Sequence, residues 1–331
     1  MKVLVTGASG MLGGATARVL AERGDDVTVL QRRPAGLGLR EVLADVADPE
    51  AVLRAVDGHD AVVHLAAKVN ITGAWADYQR INIDGTRAVV EACRSTGVTR
   101  LVDVSSPSVA HAGRSLVGAG AGPADPDAAR GPYARSKAAA ELLALAADGP
   151  SLAVVAIRPH LVWGPGDTQL VARIVRRARQ GRLPLMGAGA VLVDTTYVDN
   201  AVDALVAALD HCHPDGVHGE ALVVSNGEPR PIAEVLGAWA EAGGAPRPSR
   251  HLPVPLALAA GAVAEGLWAL RSGDDADPPL NRFLVEQLST AHWFDQRRTR
   301  EALGWRPAVS LDEGFDRLAR WYAESGEARG G

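Results

Sequence analysis

Cysteine is nearly absent from this 331-residue chain, with Cys93 and Cys212 as the whole complement. Two thiols cannot build a disulfide framework, so a reducing compartment is expected. Concentrated charge is missing as well. The 34 basic and 39 acidic residues are interspersed, and without a basic block to follow a phosphate backbone no nucleic-acid partner is expected. Long apolar runs are also lacking: Met1-Lys2-Val3-Leu4-Val5-Thr6 is far too short for a signal-peptide core. Leu252 to Leu270 is interrupted by Pro253, Pro255, Gly261, Glu265 and Gly266, which argues against a transmembrane segment and for a cytoplasmic protein. There is no internal repeat, and Gly113 to Pro132 has the Gly, Ala, Pro and Asp content of a flexible surface loop.

Lysine and tyrosine are scarce too, which makes their one close pairing informative. Three lysines stand against 31 arginines, and there are four tyrosines. Tyr133-x-x-x-Lys137 would occur by chance only about 0.04 times in such a chain. Gly131-Pro132 ends the preceding loop, and the Ala-rich run from Ala138 to Ala147 predicts a helix carrying Tyr133 and Lys137 on one face. A phenol ordinarily titrates near ~10 and becomes a useful acid or base when a neighbouring cation favours the phenolate. Lys137 is spaced to be that cation.

The chain is 47% hydrophobic and long enough for two domains or one large α/β unit. Its first strand, Lys2 to Thr6, runs into Gly7-Ala8-Ser9-Gly10-Met11-Leu12-Gly13 and then a helix. Strand, glycine turn and helix in that order predict a dinucleotide site with pyrophosphate on helix N-terminal amides. Asp25 and Asp26 precede the second strand, Val27 to Leu30, and cannot reach a ribose beyond its far end. Gln31, Arg32 and Arg33 follow it; two guanidiniums and no carboxylate favour NADP(H), with NAD(H) possible. Further strands are expected over Arg40 to Val46, with Asp45 placed for the adenine edge, and over Ala61 to Ala67. His64 inside the latter reads as a satisfied core residue rather than a ligand. A helix from Trp75 to Ser95 carries Asn82, and a strand from Arg100 delivers Ser105 and Ser106 to the crevice at its carboxyl end. The alternation predicts a doubly wound α/β fold with a parallel sheet and a smaller, mainly helical C-terminal part. His211-Cys212-His213 is not a metal site, because adjacent positions on a helix diverge.

Taken together, Gly7-x-x-Gly10-x-x-Gly13, Asp45, His64-x-Ala66-Ala67, Asn82 with Gly85-Thr86, Ser105-Ser106, Tyr133-x-x-x-Lys137, Arg158-Pro159 with Trp163-Gly164-Pro165-Gly166-Asp167, and Val198-Asp199-Asn200 resemble the extended short-chain dehydrogenase/reductase superfamily, in its 3β-hydroxysteroid dehydrogenase-like branch. Ala66-Ala67-Lys68, Ser106-Pro107-Ser108-Val109, Asp194-Thr195-Thr196-Tyr197, Ser225-Asn226-Gly227-Glu228-Pro229 and Pro278-Pro279-Leu280 through His292-Trp293 look like the bacterial 2-alkyl-3-oxoalkanoate reductases of olefin and β-lactone biosynthesis. Ala110-His111 departs from the Tyr-Gly of many members. The resemblance implies Ser106, Tyr133 and Lys137 as catalytic residues, with Asn82 either in a proton relay or structural. It implies a cofactor site of Gly7, Ser9, Gly10, Met11, Leu12, Gly13, Gln31, Arg32, Arg33, Asp45, Val46, Ala66, Ala67, Lys68, Ser105, Tyr133, Lys137, Pro159, Leu161 and Val162.

It also implies a dinucleotide-binding domain over 1–228, with residues around 159–190 on the substrate side, and a substrate domain over 229–331. The substrate would be a small apolar ketone or alcohol, a 2-alkyl-3-oxo acid in the favoured case. A homodimer through the Asn82 and Tyr133 helices is expected. Alternatives are a steroid-oxidising dehydrogenase, a nucleotide-sugar epimerase or dehydratase, and a non-catalytic NADP sensor. The apolar run Leu256 to Trp268 reads as either a lipid-pocket wall or a core helix, and Gly113 to Pro132 could close over the site.

Overall fold

The structure is a computed structural model that describes residues 1–70, 73–269 and 282–325. Its centre is a parallel sheet of seven strands among the described residues: β1 (Lys2–Thr6), β2 (Asp26–Gln31), β3 (Arg40–Leu43), β4 (Ala61–His64), β5 (Arg100–Val104), β7 (Ala153–Pro159) and β12 (Glu220–Val224). Their order across the sheet is β12-β7-β5-β4-β1-β2-β3, the doubly wound arrangement expected from the alternating sequence. Both faces are apolar because side chains alternate along each strand. Val3, Val5, Val63 and Ile157 pack toward helices α1 (Met11–Glu22), α7 (Val198–His211) and α11 (Arg297–Leu303). Leu4, Val62, Leu101 and Val154 pack toward α2 (Pro49–Val56), α4 (Gly85–Thr96) and α5 (Gly131–Leu145).

Short α3 (Trp75–Tyr78) precedes a π-helical turn, Gln79–Asp84, which leads into α4. A second layer lies beyond the carboxyl ends of the main strands. Its sheet joins β6 (Leu116–Ala119), β10 (Leu192–Val193), β13 (Arg230–Pro231) and β15 (His292–Phe294), while β8 (Val162–Trp163) pairs with β11 (Thr196–Tyr197) and β9 (Leu185–Met186) with β14 (His251–Leu252). Helices α6 (Val171–Arg179), α8 (Ile232–Ala242) and α12 (Leu311–Ser325) enclose a core around Trp163, Tyr197 and Trp239. In it the Trp163 ring stacks on Phe315 with centroids 4.7 Å apart.

Several expected elements end early, each for a local reason. The third strand stops at Leu43, and Asp45 sits in a turn where its Oδ1 accepts from the Ala47 amide at 3.0 Å. The fourth stops at His64, because the Thr6 hydroxyl takes the amides of Leu65 and Ala66, each at 3.1 Å, and turns the chain from the sheet. The expected Trp75 to Ser95 helix is divided by the π turn that carries Asn82. Gly113 to Pro132 is not simply a loop: it contains β6, whose partner β15 lies about 175 residues later, and Gly131 and Pro132 already belong to α5.

The apolar run lies in α9 (Val254–Ala269), where Leu256, Val263 and Leu267 are exposed and Ala257 and Gly261 are buried. The helix packs against α10 (Arg282–Ser289). Through Ala257 it joins a small core cluster with Met186 and Val285, and none of its described residues lines the main cleft. Among the described residues, no helix is long and apolar enough to cross a membrane.

Candidate functional site

A cleft of about 1290 Å³ opens at the carboxyl ends of β1, β4, β5 and β7, on both sides of the point where strand order reverses. A crevice there is the usual ligand position of an open α/β sheet. Gly7, Ser9, Gly10, Met11, Leu12 and Gly13 line it, and so do Gln31, Arg32, Arg33, Asp45 and Val46 from the neighbouring turns. Ala66, Ala67 and Lys68 follow β4, Ser105 and Ser106 follow β5, and Pro159, Leu161 and Val162 lie at and beyond the end of β7. Tyr133 and Lys137 reach the same cleft from α5.

The glycines show whether a dinucleotide fits. Gly7 has φ +78°, and a Cβ there would lie 2.8 Å from the Ala66 nitrogen; one on Gly13 would lie 2.5 Å from the Gly7 oxygen. Both are required by the packing itself. Gly10 differs: its nearest obstruction is 3.4 Å away, it is exposed, and it lines the cleft. Its missing side chain therefore leaves room for a ligand rather than for the protein. Gly10 also N-caps α1 without a side-chain bond, so the first amides of that helix remain available to an anion.

Asp25 accepts from the chain's own amino terminus at 2.7 Å and pairs with Arg23, so it is occupied away from the cleft. Gln31, buried as the last residue of β2, hydrogen-bonds Glu41. Arg32 and Arg33 are exposed on the cleft rim. Asp45 pairs with Arg80 at 2.7 Å.

At the other end of the cleft, Ser106 stands just beyond β5, its Oγ accepting from the Ser108 hydroxyl at 2.9 Å. Tyr133 lines the cleft beside Ser106; burial pushes its phenol above the ordinary range, and the Ser106 hydroxyl only partly opposes the rise. The direction is opposite to the lowering expected from Lys137. Lys137 is 3% exposed and has no hydrogen-bond or ion-pair partner among the described residues. Its field instead reaches the strands below, favouring ionisation of Asp103 and disfavouring protonation of His64. Thr6, His64 and Asp103 are in register across β1, β4 and β5. His64 bridges Thr6 at 2.8 Å and Thr86 at 3.0 Å, and burial lowers it to about 3, so it is a neutral, satisfied core residue.

Asn82 is buried and fully engaged. Its Oδ1 accepts from the Lys68 amide at 2.7 Å, and its Nδ2 donates to the Lys68 carbonyl at 3.1 Å and to Ser136 Oγ at 2.9 Å. Cys212 is buried in the core while His211 is exposed at the end of α7, so the His-Cys-His run does not converge.

Sequence reasoning gave no role to Glu141 or to a cluster of histidines here, and no sign of strain at Leu161. Glu141 forms a buried bidentate pair with Arg158, Nε to Oε2 at 2.7 Å, and Arg158 Nη1 also donates to the Gly122 carbonyl at 2.7 Å. An acidic residue one turn beyond Lys137 on α5 was the available signal. Leu161, in the cleft wall, has φ +43°, a left-handed conformation that costs a non-glycine residue energy. His111, His160 and His292 cluster with ring centroids 4.8 and 5.8 Å apart. Burial holds all three below the usual range, His160 at about 4 and His292 at about 3. They come from distant segments, so no local spacing announces them. Pro278-Pro279-Leu280 lies outside the described residues.

Comparison with known proteins gives a family match over residues 3–225, to the NAD dependent epimerase/dehydratase family. A 2-alkyl-3-oxoalkanoate reductase of Stenotrophomonas maltophilia is 45% identical over 96% of this chain and 98% of its own length. The sterol-4-alpha-carboxylate 3-dehydrogenase, decarboxylating, of Mus musculus is 30% identical over 97% of this chain and 91% of its own. Among solved structures, a DesIV double mutant, a dTDP-glucose 4,6-dehydratase from Streptomyces venezuelae with NAD bound, superposes with a TM-score of 0.76 at 25% identity, over 98% of this chain and 97% of its own.

Proposed function

This chain belongs to the NAD dependent epimerase/dehydratase family and is an NAD(P)-dependent oxidoreductase; we propose that it reduces a 2-alkyl-3-oxoalkanoic acid to the 3-hydroxy acid with NADPH. The observation that carries the reading is the convergence, in one cleft, of Ser106, the buried Tyr133 phenol and the Lys137 ammonium, which has no hydrogen-bond or ion-pair partner among the described residues. The relatives' names support the substrate class. A 2-alkyl-3-oxoalkanoate and a sterol 4-carboxylate acted on at carbon 3 both carry an acid group on the carbon next to the reacting one.

When bound, the nicotinamide supplies the hydride. Ser106 and the Tyr133 hydroxyl hold the substrate carbonyl oxygen, and Tyr133 passes its proton to that oxygen as negative charge develops. A phenol that burial keeps protonated is suited to reduction, where an acid is needed first. Lys137 then stabilises the phenolate, with its remaining donors available to ribose hydroxyls. Asn82 holds the Lys68 segment against α5 and so fixes the cleft wall. Arg32 and Arg33 favour a 2′-phosphate.

The test is NADPH oxidation by the purified protein with a 2-alkyl-3-oxo acid, set against oxidation of a 3β-hydroxysteroid with either cofactor. Turnover only with the steroid would overturn the reading. Tyr133→Phe should lower turnover by about 10²–10⁴-fold and leave NADPH affinity unchanged. Undiminished turnover in that variant would remove Tyr133 from the mechanism.

A further inference from the structure

Beside the main cleft lies a second cavity of about 270 Å³, formed where the β6 segment folds over the residues that follow Ser106. The two share Pro107, His111, Leu116 and Phe294 as a common wall. The rest of the small cavity is lined mainly by short apolar side chains, among them Ala110, Ala119 and Ala129. Arg158 and Asp125 also border it, but the guanidinium is already committed to Glu141 and the Gly122 carbonyl, and the carboxylate accepts from the Asp127 and Ala128 amides. Its size falls near the lower bound of ligand pockets, roughly 300 Å³, which suits one arm of a molecule rather than a whole ligand.

The shared wall is uncharged. His111 packs edge-on against His292, and neither of its buried ring nitrogens has a hydrogen-bond partner. Burial holds both imidazoles below their ordinary range, so they are neutral at neutral pH. A carboxylate or phosphate would find no cation on this wall, whereas an alkyl chain would meet Pro107, Leu116, Phe294 and neutral imidazole rings. The main cleft also extends to Ile174, Leu236, Trp239 and Leu288, with Arg173 and Arg177 of α6 on the same lining. The site beside Ser106 and Tyr133 thus borders two spaces, the small cavity and this extension of the main cleft.

We propose that the cavity behind Pro107, His111 and Phe294 is the pocket for the 2-alkyl branch of the substrate, while the extension of the main cleft takes the chain beyond the carbonyl. The proposal rests on the ketoreductase reading. A branch on carbon 2 leaves the molecule one bond from the carbonyl, and this cavity begins one residue after the serine that would hold that carbonyl. Two separate spaces would let the enzyme measure the two chains independently.

The experiment uses two series of synthetic 3-oxo acids with NADPH, one varying the 2-alkyl group from methyl to octyl and one varying the tail. Wild-type kcat/KM should rise by up to about fourfold per branch methylene until the cavity is full. Ala119→Phe and Ala129→Phe fill the cavity from different segments. Each should lower kcat/KM for the 2-octyl substrate by at least about tenfold, while the 2-methyl substrate, NADPH affinity and the tail-length profile stay as in wild type. Unchanged 2-octyl turnover, equal losses on 2-methyl and 2-octyl, or a loss confined to long tails would each overturn the assignment. Failure of the wild type to reduce any member of either series would instead overturn the ketoreductase reading.

Discussion

Gly10 and Gly13 stand three residues apart in one motif, yet a methyl group added to each meets different surroundings. At Gly13 it would come within 2.5 Å of the Gly7 oxygen, a backbone atom that cannot move without moving the β1-α1 turn. At Gly10 it would point into the cleft with ordinary contacts. Gly13→Ala should therefore lower the melting temperature of the free protein, whereas Gly10→Ala should leave it within experimental error and weaken NADPH binding by about tenfold or more. Equal melting temperatures for both variants, with equal cofactor affinity, would contradict this division.

The cofactor's outer end has its own residue-level test, because Arg32 and Arg33 are exposed on the rim. Arg32→Ala with Arg33→Ala should reduce the preference for NADPH over NADH by about 10–100-fold, as expected when charge-assisted bonds to a phosphate are lost; an unchanged ratio would mean that both are merely solvated. Residues with local signatures were legible in sequence, since the glycine turn, Tyr133 and Lys137 are defined by spacing and by the element they occupy. The direction of the Tyr133 shift was not. It depends on how much protein surrounds the phenol, which no spacing records.

At the scale of elements, β6 and Glu141 show why part of the site's wall was hidden. The composition of Gly113 to Pro132 is that of a loop, but Leu116 to Ala119 becomes a strand because His292 to Phe294 offers it an edge. That partner is supplied by tertiary structure, which overrides local propensity. Several motifs that carried the family resemblance prove to be joints between elements. Asp194 accepts from Ser225 at 2.6 Å and from the Gly227 amide at 3.0 Å, tying the segment before β11 to the turn after β12. Asn200 donates to Asn226 and to the Val309 carbonyl. Arg158 likewise joins β7 to α5 through Glu141 and to the cavity wall through Gly122. Glu141→Gln leaves a buried guanidinium without its counter-ion and should destabilise the fold by about 3–5 kcal/mol. The double substitution Glu141→Leu with Arg158→Met should be milder than Glu141→Gln alone, since no uncompensated charge remains. Denaturant midpoints of the variants check both statements, and a larger loss in the double variant would refute the argument.

For the whole molecule, the buried imidazoles set the response to acid. His64 and His292 are lowered to about 3 and His160 to about 4, all by burial first. The unfolded chain takes up a proton at each near pH ~6.5, whereas the folded chain does not until far lower pH, so acid favours the unfolded state. Their stabilising contribution is complete above about pH 6.5 and is lost progressively as pH falls toward 4 and then 3. Asp194 acts in the opposite sense: burial raises it to about 6, so between that pH and its ordinary range the folded chain holds the extra proton and gains stability as pH falls. Four lowered imidazoles, His111 included, against this carboxyl and the likewise raised Asp103 leave a net loss. Urea midpoints should therefore fall between pH 7.5 and pH 5.0. For His64, His160 and His292 the share of that fall is about 2 kcal/mol each. His64→Gln, which keeps an amide between Thr6 and Thr86 but cannot be protonated, should reduce the drop by about that amount. If the drop in His64→Gln equals the wild-type drop, His64 is not held neutral in the folded chain, and the polar row beneath Lys137 carries a charge that this structure does not assign to it.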